Sequence, residues 1–162
     1  MSVLVTPAAA TSPEAVAVLR RYAEEIVAGN TGRAATEDDL RAFLAADPRS
    51  LVPPEGLFVV AREGDHLVGC AGLRLRGPEV PDGAGEIKRM WADPARRGRG
   101  VGALLLEHLT LLAREAGLRR LVLDTRADLA AARALYGRAG FVEVPAYNTN
   151  PDAEVWYAKE LP

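Results

Sequence analysis

Residues Glu86 to Gly102 read EIKRMWADPARRGRGVG, where a strand-like run to Ala92 breaks into a loop of arginine and glycine. From Val101 to about Ala116 the chain is apolar enough for a packed helix, with Leu104, Leu105, Leu111 and Leu112 as its expected packing face and Gly117 closing it. Residues 120–125, RLVLDT, return to a strand. A strand, a crossover helix and a second strand form a parallel pair, so an α/β fold is predicted from this segment alone.

Working outward, 57–62 (LFVVAR) and 66–76 (HLVGCAGLRLR) are strands joined by a hairpin turn at Glu63-Gly64-Asp65, which makes the sheet mixed. Residues 2–6 give an opening strand, and Thr11-Ser12-Pro13-Glu14 starts a helix that Gly29-Asn30 should stop near Ala28. A second short helix follows Thr36, and Pro48, Pro53 and Pro54 make an irregular connection. Asp128 is a candidate cap for a helix through Ala139, and 141–146 and 154–161 complete the strands. Residues 1–162 therefore read as one domain, an α/β fold with a single mixed twisted β-sheet flanked by helices.

With 49% apolar and 26% charged residues, the 162-residue composition excludes disorder and fibrous repeats. No run approaches the roughly 20 apolar residues of a membrane span, and no signal peptide is visible, so no membrane partner is expected. The lone Cys70 forms no internal disulfide, which favours the cytoplasm. A net charge of -2 does not recommend nucleic acid. The charge is unevenly spread, however: residues 86–102 hold five basic groups against two acidic in an otherwise acidic chain.

That basic segment carries Arg96, Arg97 and Arg99 among Gly98, Gly100 and Gly102 at a helix start. Free N–H donors and the positive end of the helix dipole suit a phosphate there, against the plainer alternative of a turn with solvated arginines. A Walker loop is excluded because Gly-Lys-Ser/Thr is absent. Gly98, Gly100 and Ala103 match G-x-G-x-x-A, but five residues separate them from the strand. Asp124 lies 26 positions after Gly98, where a dinucleotide site places its acid about 20 on.

A third pattern fits. Arg97-x-x-Gly100-x-Gly102 resembles the acyl-CoA pyrophosphate loop of the GNAT superfamily of N-acetyltransferases. Met90-Trp91-Ala92-Asp93-Pro94 resembles the family's preceding strand end, and Ala132-x-x-Leu135-Tyr136-x-x-x-Gly140-Phe141 its later helix and strand. The resemblance implies a GNAT-like sheet and acetyl-CoA as acyl donor. It implies contacts from Arg97, Gly98, Arg99, Gly100, Val101, Gly102 and Ala103 to the pyrophosphate, and from Met90, Trp91 and Ala92 to the pantetheine arm. Leu129 stands where many members carry Asn, and Asp128 is the nearest polar substitute.

Acetyl transfer needs a neutral amine, and a lysine-like amine of pKa about 10.4 is handicapped by roughly 4 to 5 kcal/mol at pH 7. Glu86, four residues before Met90, is similar in place to the glutamate base of histone-type members, acting with a raised pKa or through water. Tyr136 matches the position whose hydroxyl serves the leaving sulfur. The plainer alternatives are a solvated strand-edge Glu86 and a core-packed Tyr136. His66 and His108 lack a third ligand, so no metal is expected, and Cys70 reads as a small core residue. Arg74, Arg76 and Arg89 are candidates for a substrate carboxylate, and Tyr147-Asn148-Thr149-Asn150-Pro151 for the acceptor border. The implied reaction is direct acetylation of a primary amine, with a small molecule favoured as acceptor. A protein acceptor, a non-catalytic acyl-CoA-binding module and a homodimer stay open.

Overall fold

A computed structural model describes residues 2–46 and 49–162; Pro48, assigned above to an irregular connection, lies outside the described residues. In chain order the elements are β1 (Val3–Pro7), α1 (Pro13–Thr31), α2 (Glu37–Ala45), β2 (Gly56–Glu63), β3 (His66–Arg74) and β4 (Ala84–Ala92). There follow a 3-10 turn (Pro94–Arg96), α3 (Val101–Glu115), β5 (Arg120–Thr125), α4 (Ala130–Arg138), β6 (Val142–Val144) and β7 (Val155–Glu160). The sheet runs β1-β2-β3-β4-β5-β7-β6, and only the β4–β5 pair is parallel. This is the mixed sheet with helices that the 86–125 crossover and the 57–76 hairpin together predict.

Helix ends follow local chemistry, with three corrections to the sequence reading. Ser12 Oγ accepts the Ala15 N–H at 3.2 Å and Pro13 opens the first turn, which starts α1 as expected. Gly29-Asn30 does not stop it. Gly32 instead takes the left-handed cap, and its N–H reaches Ala28 O at 2.9 Å. At α4 the cap position is Leu129, which has no side-chain acceptor to offer, and the Asp128 carboxylate is held by Arg126 at 2.8 and 3.0 Å.

The third correction concerns α3, whose buried side is Val101, Leu105, Leu106, Leu109 and Ala113; Leu104 and Leu111 are 38% and 50% exposed. Leucines surround this helix, so periodicity alone does not choose its inner face. The buried stripe packs on one face of the sheet with Leu73, Leu121 and Leu123. Each fully buried leucine contributes about 1.5–3 kcal/mol. On the other face α1 covers Phe58, Val60, Cys70 and Trp91. Burial pushes the Cys70 thiol well above its ordinary value, and its Sγ rests 3.3 Å from Arg89 O, which suits a core residue.

Two irregularities in β4 open the sheet. Pairing with β5 covers only Ala84–Glu86 against Arg120–Val122; beyond it β4 keeps β3 and β5 keeps β7. Between Gly72↔Lys88 and Cys70↔Trp91, three steps of β4 oppose two of β3, with Arg89 at φ 52° in the bulge. A bulge bends its strand and increases twist, which carries the end of β4 away from β5.

Candidate active site

A groove of about 1830 Å³ lies at this parting of β4 and β5, at the carboxyl ends of the parallel pair. Met90 and Leu123 line it from the two strands, loop 96–103 from one side, Leu135 and Tyr136 of α4 from the other, and Tyr22 and Phe43 from α1 and α2. Gly102 brings α3 against α4: a Cβ there would come within 2.6 Å of Leu135 Cδ2.

Loop 96–103 is built to present main-chain donors. Gly100, at φ 85°, is the cap of α3 and carries no side chain to bond its first turn. The N–H groups of Val101, Gly102 and Ala103 precede any intrahelical acceptor. Those of Gly98 and Gly100 make no main-chain bond among the described residues. A Cβ at Gly98 or Gly100 would meet nothing within 4 Å, so the space in front of the loop is open. Open donors at a helix N-terminus fit the diphosphate of an acyl-CoA. The arginines are otherwise engaged: Arg97 holds Glu25 at 2.6 and 2.7 Å and Ala92 O at 3.1 Å, and Arg96 holds Glu63 at 3.1 Å.

Further along, Tyr136 is 8% exposed and packed edge-on to Phe141, with ring centroids 5.9 Å apart. Its hydroxyl makes no hydrogen bond among the described residues. Burial first, then the charge of Asp124, pushes the phenol up to about 12, so it stays protonated through neutral pH.

Past Tyr136 comes a polar network. Glu86 is 1% exposed; Oε1 accepts Arg74 Nη1 at 2.8 Å, while Oε2 accepts the Tyr147 hydroxyl at 2.7 Å and Asn148 Nδ2 at 3.2 Å. Asn148 Nδ2 also donates to Asp124 Oδ2 at 2.7 Å, and Asn150 Nδ2 to Oδ1 at 3.1 Å. Lys88 Nζ stands 3.7 Å from an oxygen of each carboxylate. Thr149 binds Glu79 through its hydroxyl at 2.6 Å, pinning the same loop from outside. Burial and the Glu86 charge raise the Tyr147 phenol far above its ordinary value, so it acts as a donor.

Of the residues singled out from sequence, Met90, Trp91, Ala92 and Tyr136 border the groove. So do Arg97, Gly98, Gly100, Val101, Gly102 and Ala103, whereas Arg99 and Glu86 do not. The Trp91 indole itself lies in the core beneath Arg21, whose guanidinium sits 4.5 Å above the ring. Arg74 and Arg89 border the groove, and Arg76 turns to Glu55 instead. Lys88 and Asp124 were missed as site residues. Their one sequence signal is position, since strand ends beside a parting of parallel strands are where α/β sheets take ligands. His66 is exposed, and among the described residues no three His, Cys, Asp or Glu side chains group as a metal site. No helix among them is long and apolar enough to cross a membrane.

Known proteins share this chain's sequence pattern and fold. An IAA acetyltransferase from Azospirillum brasilense is 38% identical over 60% of this chain and 61% of its own length. The N-alpha-acetyltransferase RimI of Mycobacterium tuberculosis is 36% identical over 67% of this chain and 70% of its own. The fold is shared with the PaiA N-acetyltransferase of Thermoplasma acidophilum, solved with coenzyme A, at a TM-score of 0.73 and 16% identity over 99% of both chains. The Acetyltransferase (GNAT) family profile matches residues 19–141, from within α1 to the start of β6, and this chain belongs to that family.

Proposed function

We propose that the protein is an acetyl-CoA-dependent N-acetyltransferase that moves the acetyl group directly to a primary amine, with no covalent enzyme intermediate. One observation carries this reading: Gly98, Gly100, Val101, Gly102 and Ala103, with their open N–H groups, and Tyr136 line a single groove. Acetyl-CoA supplies an activated thioester. Loop 98–103 holds its diphosphate, Met90 and Ala92 flank the pantetheine arm, and Tyr136 delivers a proton to the departing sulfur. Glu86 bears on the amine's deprotonation only indirectly, because both its oxygens already accept bonds.

A small acceptor is supported over a polypeptide. Tyr147, Asn148, Thr149 and Asn150 fasten loop 145–152 to Glu86, Glu79 and Asp124, and Asn150 and Asp152 of this fastened loop line the groove, which favours a compact acceptor over an extended chain. The buried lone Cys70 fits residence in a reducing cytoplasm. Two measurements test the reading together: melting with and without acetyl-CoA, and thiol release with a panel of small amines and amino-terminal peptides. Stabilisation plus amine-dependent release is expected. Stabilisation without release from any amine identifies a binding module, and no stabilisation removes the acyl-CoA site itself.

A further inference from the structure

Asp124, the penultimate residue of β5, borders the groove and has no role in the assignments above. Two carboxylates meet here, and they differ in what they have left to offer. Glu86 borders no part of the groove and has three donors bonded to its oxygens. Asp124 borders the groove, and each of its oxygens accepts one bond. A carboxylate has about four acceptor positions, so Asp124 keeps about two for a third party. The arrangement is fixed from behind: the Trp156 indole N–H donates to Asn148 Oδ1 at 2.8 Å, which turns the Asn148 NH₂ toward both acids.

We infer that Asp124 meets the acceptor amine and takes its proton, while Glu86 is a positioning residue that holds Arg74, Tyr147 and Asn148 around it. The inference rests on the acetyl-transfer reading of the same groove. Lys88, 3.7 Å from Asp124 and beyond hydrogen-bond reach, aids the step. An ammonium drawn out of water and placed beside a like charge loses its proton more readily.

The protons balance. An alkylammonium carries three N–H bonds and the amide product keeps one. The first proton passes to Asp124 and from there to water. The freed nitrogen pair forms the C–N bond at the acetyl carbonyl, and the C–S bond breaks with its pair on sulfur. Tyr136 gives its proton to that sulfur and receives the second nitrogen proton. The sum is an amide, a free thiol and one released proton. Asp124 and Tyr136 border the same groove, and the Asp124 charge helps keep the Tyr136 phenol protonated. The acceptor class follows: primary alkylamines that are ammonium ions at neutral pH.

Acceptors of different basicity separate this role from a structural one. Asp124→Asn is assayed with the best acceptor from a panel of amino acids, polyamines and amino sugars, and with hydroxylamine, which is already neutral at pH 7. The expected loss in kcat/KM is about a hundredfold or more for the alkylamine and less than about fivefold for hydroxylamine. Lys88→Met, at a half-exposed position, should show the same selectivity more weakly, and it carries the test should Asp124→Asn not fold. Equal losses with both acceptors, or none, overturn the role of Asp124 and leave acetyl transfer standing. Wild-type protein that releases thiol with neither acceptor overturns both readings.

Discussion

Replacing Tyr136 with Phe removes one oxygen from the site and little else. Both ring contacts, to Phe141 at 5.9 Å and Tyr157 at 5.8 Å, survive in the phenylalanine, and no hydrogen bond among the described residues is lost. Stability at pH 7 should therefore stay within about 0.5 kcal/mol of wild type. Turnover should not. With the phenol at about 12 and a thiol near 8.5, handing a proton to a fully formed thiolate is uphill by about 5 kcal/mol. Donation can then occur only as charge gathers on sulfur and with the phenol's proton replaced in the same step. Losing such a donor costs about 10²- to 10³-fold in kcat.

The same shift has an alkaline signature. The folded phenol holds its proton from the unfolded value of 10 up to about 12, so in that window the native state binds more protons than the unfolded one and stability falls as pH rises. The loss attributable to Tyr136 is at most about 3 kcal/mol, most of it present at about pH 12 and the rest above it. Tyr22, Tyr147 and Cys70, also raised, are common to both proteins and cancel in the difference. Thiol-release kinetics at pH 7 and urea melts at pH 8 to 12 measure both effects. Unchanged kcat in Tyr136→Phe refutes the proton-donor role. A large loss of stability at pH 7 refutes the view that the hydroxyl is free.

The remaining expectations are quickly tested. Gly100→Ala places a side chain at φ 85° without any clash, so strain of about 1–2 kcal/mol should appear in a urea melt, with weaker acetyl-CoA binding by calorimetry. Glu86→Gln leaves Arg74 without its full counter-charge in a largely buried pair and should cost about 3 kcal/mol; a melt unchanged to within a degree would contradict that. Glu25→Gln frees Arg97 from a half-exposed pair worth up to about 1 kcal/mol, which should tighten acetyl-CoA binding by no more than about fivefold.

The parallel crossover was legible because it depends on local punctuation: Gly100 before α3, Gly117 after it, and β-prone residues on either side. The hairpin at Gly64 and the caps at Ser12 and Thr36 are local in the same way. What stayed hidden depends on residues distant in sequence. The face that α3 buries is set by β3 and β4, against which Leu104 and Leu111 make no case of their own. Asp124 meets Asn148 and Asn150 across 24 and 26 residues, and Glu86 meets Tyr147 across 61, so no short motif could join them. Tyr136 was found through its motif, yet its raised pKa comes from burial that only the packed structure supplies.

The charge pattern of residues 86–102 has the same lesson in reverse. Its five basic groups suggest side chains gathered to hold an anion. In the fold, Lys88 stands between Glu86 and Asp124, Arg89 lies 4.9 Å over Phe43 and bonds Ala46 O, and Arg96 and Arg97 are paired with Glu63 and Glu25. Arg89 and Arg99 make no ion pair among the described residues, and of the two Arg99 does not border the groove. Most of the positive charge therefore ties the rim of the groove to α1, α2 and β2. Within residues 86–102, the groove-side donors left for a diphosphate are main-chain N–H groups, whose direction is fixed by Gly98 and Gly100 at φ 82° and 85°. Arginine count and anion affinity should separate accordingly: neutralising Arg99 should change acetyl-CoA binding less than adding one methyl group at Gly100.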